Sequence, residues 1–362
     1  MRLIPALAAL IALAACDRAQ KAEPAAPTVD VKEVAAADGY GAPGPKINAV
    51  AFWSHPSVNF ESLVLAATDA GVDAYSVESG ERAGGVAQGA VASMATIYAG
   101  TGPLAQGFVI AARGADYDFY AIDNATGAMS AAPVERGAPG TGKFCAGRSG
   151  KALALYEIAA DALAARAISI SATGVSLGDP TPLATIAGLD ACHVDDRTGA
   201  VIAFSGDGAI RRLDPQTGES FGLAFIADGK PSSSALHLMT TAEPESAAGG
   251  AIAVLNGERG VISLFDLVDG HALGAVRIKS TFDLDDVASA TSIAAGYGNY
   301  GGVYRDGALA VVTTGDGAPI RLVPFNGILD ALGVTAGENV DPRAPQAAAT
   351  DERVIEIEFE QP

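Results

Sequence analysis

Chemistry in this chain would have to come from three cysteines, four histidines and a scatter of carboxylates and hydroxyls. Asn48, Ser93, Lys143, Asp190, Ser232 and Ser234 stand at or near the starts of short apolar runs. An amide, three hydroxyls, an ammonium and a carboxylate brought together there would line a polar funnel able to bind a ligand. His55, His193, His237 and His271 are scattered, with no nucleophile motif beside them. Gly142-Lys143-Phe144 lacks the frame of a phosphate-binding loop, no G-x-S-x-G elbow is present, and no Cys/His spacing suggests zinc. Cys145 and Cys192 fall at equivalent places in two successive repeats. They could pair in an oxidising compartment. The innermost strands of neighbouring repeats of this kind usually lie too far apart for good disulfide geometry, which favours two buried free thiols instead.

The elements that must position these residues are strands. Gly188 to Glu219 reads as three short strands, Ala191–Val194, Ala200–Phe204 and Ala209–Asp214, joined by tight turns. Asp195-Asp196-Arg197-Thr198-Gly199 and Ser205-Gly206-Asp207-Gly208 make those turns, because Gly and Asp tolerate positive φ. The same phrase recurs at Ser62–Glu81, Phe108–Ala128, Ala251–Gly270 and Ala308–Gly327, and more weakly across Phe144–Ser171. Glycine punctuation and short runs argue against helices. One such meander cannot bury its face alone, so the repeats must stack in a ring. The expected fold is all-β: a six-bladed β-propeller of four-stranded antiparallel blades over residues 47–330. Closing the ring needs a terminal strand, with Thr28–Val34 and Val354–Glu360 as candidates.

The ends carry different signals. Met1–Ala15 has one Arg and then an apolar run too short to span a bilayer as a mature helix. Leu13-Ala14-Ala15-Cys16 resembles the bacterial lipobox, which implies lipidation of Cys16 and anchoring to a membrane rather than spanning it. Residues 16–46 read as a flexible tether and 331–362 as a C-terminal segment with an edge or ring-closing strand. The expected location is the bacterial cell envelope, facing the periplasm, with inner and outer membrane left open. Without Met1–Ala15 the charge is 22 basic against 42 acidic residues, or −20. That argues against nucleic acid as a partner. It leaves an unknown ligand or protein partner, membrane contact through the lipid, and a monomer as the expectation.

Phe52-Trp53-Ser54-His55-Pro56, Leu63–Tyr75, Phe144-Cys145, Asp190–Gly199, the glycine-rich stretch Gly296–Gly317 and Ile320–Leu329 occur in an order that resembles the β-propeller phytases. The resemblance implies a six-bladed propeller and, for active members, calcium-dependent release of phosphate from phytate. Such members hold several calcium ions in carboxylates at one end of the channel. Here the corresponding positions fall on Asn48–Ala51, Ala92–Ile97, Gly142-Lys143, Ala203–Gly206, Ser232–Ala235 and Ala288–Ile293. Only Asp190 keeps a carboxylate. The resemblance therefore implies a degenerate, non-catalytic relative with no metal or cofactor. The alternative is an active calcium-dependent phytase. Trp53 reads as core, and Asp195, Asp196 and Asp207 as turn formers.

Overall fold

The computed structural model describes residues 30–345, apart from 43, 99–103, 138, 151, 227–230, 241–248, 280, 282–283 and 316. The signal segment Met1–Ala15, the lipidation candidate Cys16 and the candidate strand Val354–Glu360 lie outside the described residues. The fold is a six-bladed β-propeller, nearly all-β, with one α-helix at Phe325–Leu332 among the described residues.

Each blade begins with an innermost strand: Ile47–Trp53, Ser93–Ile97, Phe144–Ser149, Leu189–Asp195, Ser233–Thr240 and Ala290–Gly296. These six meet in a ring around a central channel, each in contact with the inner strand on either side. The meander that organises the sequence is the fourth blade: Leu189–Asp195, Ala200–Ser205, Ala209–Leu213 and Ser220–Phe225, antiparallel throughout. The third blade, the weakest repeat in the sequence, is irregular. Both Val175–Leu177 and Thr181–Thr185 pair with Ala162–Ile170, and Val134–Arg136 adds outside in parallel.

The N-terminal segment closes the ring. The last blade takes its outermost strand from Asp38–Tyr40, antiparallel to Ile320–Pro324. Val31–Ala35 runs parallel to Ala272–Lys279 on the outside of the fifth blade. The propeller thus starts near Val31, where the sequence suggested a tether reaching residue 46. The Val31–Ala35 strand overlaps the candidate Thr28–Val34, but closure falls to Asp38–Tyr40. Tyr40 anchors them: it is buried and its hydroxyl donates to Val77 O in the first blade.

Apolar seams between blades hold the ring together. Trp53, Leu65, Val109 and Tyr120 fill the first-to-second seam. Tyr156, Leu163, Val201 and Leu213 fill the third-to-fourth. That seam also corrects the expectation of free thiols: Cys145 and Cys192 are disulfide-bonded, with Cα atoms 5.5 Å apart. The reason is position in the blade. Both residues lie on innermost strands, where blades converge on the channel and backbones approach within bridging distance.

Candidate functional site

Lys143–Asp190 and Cys145–Cys192 each join residues 47 positions apart. Neighbouring inner strands therefore run in the same direction, and the channel has two unlike mouths. One gathers the strand starts and the other the strand ends.

All six sequence-predicted funnel residues lie on the start side, and their polar groups are spent on protein. Asn48 Nδ2 donates to Asp69 Oδ1 at 2.9 Å and to Val91 O of the second blade at 3.0 Å. Ser93 Oγ donates to Gly142 O of the third blade at 2.8 Å. Lys143 Nζ pairs with Asp190 of the fourth blade at 2.5 Å. His193 Nε2 and Ser234 Oγ, 3.0 Å apart, link the fourth and fifth blades. Ser233 Oγ accepts from Ile293 N of the sixth at 3.1 Å. Ser232 stays within its blade, donating to Leu255 O and accepting from Gly257 N. These are rivets between blades and strands rather than a free funnel.

The start-mouth residues do not fit a calcium site. Calcium wants six to eight oxygen ligands. Asp190 is committed to Lys143 and Asp69 to Asn48. Among the described residues, one group of three potential ligands comes within 4.8 Å of one another: Asp266, Asp269 and His271. It lies in the turn between the third and fourth strands of the fifth blade. There Asp266 Oδ1 accepts from Val268 N and Asp269 N, and Asp269 Oδ1 from His271 N. The carboxylates shape the turn.

The cavity lies toward the other mouth. It measures about 190 Å³, and none of the six predicted funnel residues lines it. That is below the 300–1,000 Å³ usual for small-molecule pockets. Its polar lining includes Thr96, Tyr98, His193, Asp196, Tyr297 and Tyr300. Burial holds the His193 imidazole down to about 4, so it is neutral at pH 7. Burial also pushes the Asp196 carboxyl up to about 6, against the Arg148 N–H and the Tyr297 hydroxyl that donate to it. Desolvation raises Tyr98, Tyr297 and Tyr300 above the ordinary phenol value. Gly296 is required here: a Cβ would meet Tyr300 Oη at 2.5 Å and Phe52 Cγ at 2.6 Å. Its absence lets Tyr300 stack on Phe52, with ring centroids 5.2 Å apart.

Over this mouth lies a strap the sequence did not reveal. Glu338–Asn339 pairs with Met239 and Thr240 at the end of the fifth inner strand. Val340 is buried beside Leu236 and Leu238, and Pro342 lines the cavity. The Arg343 guanidinium lies 5.5 Å from the Trp53 ring centroid and 5.2 Å from that of Tyr98. It donates to Gln106 O at 2.9 Å and to Ser54 O. Arg148 Nη2 donates to Arg343 O at 3.1 Å and to Tyr98 O at 2.8 Å. A single Arg in a Pro-rich segment has no periodicity to mark it. The flanking prolines at 342 and 345, both buried, were the one available signal.

The turn-forming reading of Asp195 and Asp196 covers part of what they do. Asp195 is fully buried and takes the Arg197 guanidinium through both oxygens. Asp196 faces the end mouth. Trp53 is core, 1% exposed.

No protein-family model matches this chain, and no curated protein matches it. Among solved structures it is similar to a chain in the crystal structure of a mitotic checkpoint complex. The identity is 13%, the match covers 86% of this chain and 82% of that one, and the TM-score is 0.42.

Proposed function

We propose that this chain is a non-catalytic, phytase-like propeller acting as a binding or scaffolding module. A lipid on Cys16 would hold it to the bacterial envelope, facing the periplasm. The observation that carries the reading is the start mouth. Its polar side chains are committed to protein partners, and Asp190, the only carboxylate matching the family's pattern, is paired with Lys143. Side chains already committed to the fold cannot also gather hard cations and phosphate at no cost to it. Two further features support the reading. The Cys145–Cys192 bridge suits an oxidising compartment. The charge of −19 suits neither nucleic acid nor protein-mediated binding to an anionic membrane. A partner protein or ligand, no cofactor and a monomeric state complete the proposal.

Two measurements test it. Phosphate release from phytate, assayed with calcium and with chelator, should be absent in both; calcium-dependent release would restore the enzyme reading. Cys16→Ser should leave an unprocessed, unlipidated precursor, read by mass spectrometry of the N-terminus, while the wild-type mature protein partitions into detergent. A wild-type mature protein that starts elsewhere and stays in the aqueous phase refutes the anchor.

A further inference from the structure

The contact between Arg343 and the end mouth has the form of a ligand in a socket. Its walls come from the first two blades alone. Trp53 is packed into the seam between them and carries His55 edge-on at 5.6 Å. His55 is itself fixed, accepting at Nδ1 from Val58 N at 2.8 Å. Tyr98 is pinned where its hydroxyl donates to Phe52 O at 2.9 Å and accepts from Ser54 N at 3.1 Å. The carbonyls of Ser54 and Gln106 point at the guanidinium. None of these wall contacts involves the strap.

Two aromatic rings and two carbonyl acceptors on separate nitrogens suit a planar, delocalised cation better than a compact ammonium. Arg343 fills the socket incompletely. Its Nε and the Trp53 Nε1 are buried, and neither has a hydrogen-bond partner among the described residues. Apart from the Arg343 side chain, the strap that delivers it holds on by a two-residue bridge, the side chains of Asn339, Val340 and Pro342, and one hydrogen bond from Arg148 Nη2 to Arg343 O.

We infer that the Trp53–Tyr98 socket is a recognition site for an arginine side chain of a partner peptide, and that Arg343 is its resident, displaceable occupant. This rests on the reading of the chain as a binding module and names the class of partner. The charge of −19 favours encounter with a basic peptide, an attraction that weakens with salt. Displacement of the strap would also uncover the cavity beneath Pro342.

Trp53 is the only tryptophan in the chain, so its fluorescence reads the socket directly. The full-length protein is titrated with N-acetyl-argininamide, with its lysine analogue and with the neutral citrulline analogue. Arg343→Ala should give saturable quenching with at least about tenfold tighter binding than wild type, the lysine analogue weaker, the citrulline analogue none. Val340→Ser, which loosens the strap and leaves the socket intact, should give the same gain. Absence of saturable quenching in whichever of these variants folds makes Arg343 a seal and overturns the inference. Equal binding of the citrulline analogue overturns it too, since the guanidinium would not be what is read. Phytate hydrolysis by the protein would overturn the binding-module reading while leaving this titration's result intact.

Discussion

At the strand starts, Asn48 and Ser93 give their polar groups to backbone carbonyls of the next blade, and Lys143 gives its charge to Asp190. At the strand ends, Tyr98, Tyr297, Tyr300 and Asp196 crowd together under a strap from the C-terminal segment that carries Arg343. The same inner strands build both mouths, with opposite uses of polar side chains. The start mouth is exposed, and its groups close the ring. The end mouth is desolvated, and its groups are left with shifted pKa values and unpartnered hydrogens. Burial at the second mouth makes an empty socket costly and a replacement partner favourable, so recognition is better sought there.

The largest test of this contrast is the bridge on the start side. Reduction, or Cys145→Ala with Cys192→Ala, releases a loop whose ends are 47 residues apart. Chain entropy puts the loss at about 4 kcal/mol. Denaturant unfolding with and without reductant should show it as a lowered midpoint, with a steeper slope where the reduced denatured state is more expanded. An unchanged midpoint would mean the riveted side does not hold the ring.

Acid should act through two buried imidazoles, His193 beside the channel and His237 stacked on Phe325 of the helix. His193 at about 4 and His237 at about 3 are both held below 6.5 by burial. The unfolded chain protonates them first, so their contribution is full above pH 6.5 and falls as pH drops toward their folded values. Asp196, raised to about 6 from 3.8, works the other way. The folded state takes up its proton first, which offsets part of the loss between pH 6 and 4. Two imidazoles against one carboxyl leave a net loss of about 2–3 kcal/mol from pH 7 to 5. Urea midpoints at both values check the slope. Asp196→Asn should steepen it and His193→Gln should flatten it; the reverse order would contradict these assignments.

The exposed rivet should matter least. Lys143 and Asp190 have side chains 60% and 40% exposed, so screening limits the pair to about 0–1 kcal/mol. Lys143→Met should leave the melting temperature within a degree or two. A drop comparable to that from losing the disulfide would show that the start mouth depends on charge rather than on its covalent and backbone links.

How far the sequence could be read follows from the same division. Local signals carried the blades. Gly and Asp turns with short apolar runs placed Ala200–Ser205 and Ala209–Leu213 to within a residue. The strand-start polar residues were also legible as a set. Most of their partners were not, because those between blades are set by how blades stack across 40 residues or more of chain, as with Asn48 and Val91. The ring-closing strand is three residues containing a glycine, too short for period-two alternation to register. Arg343 was invisible for a different reason: its meaning comes from two rings roughly 245 and 290 positions earlier in the chain. The disulfide was misjudged by taking neighbouring innermost strands as too far apart to bridge; at Cys145 and Cys192 their Cα atoms are 5.5 Å apart.

The central claim is that the start mouth is structural and holds no calcium-dependent chemistry. It is tested most directly by thermal unfolding of the purified protein in millimolar calcium against chelator. Without available oxygens calcium has no preference for the folded state, and mass action then gives no stabilisation. The account predicts melting temperatures that agree within a degree or two. A rise of about 10 °C with calcium would mean that a metal site is assembled there, and it would contradict the account.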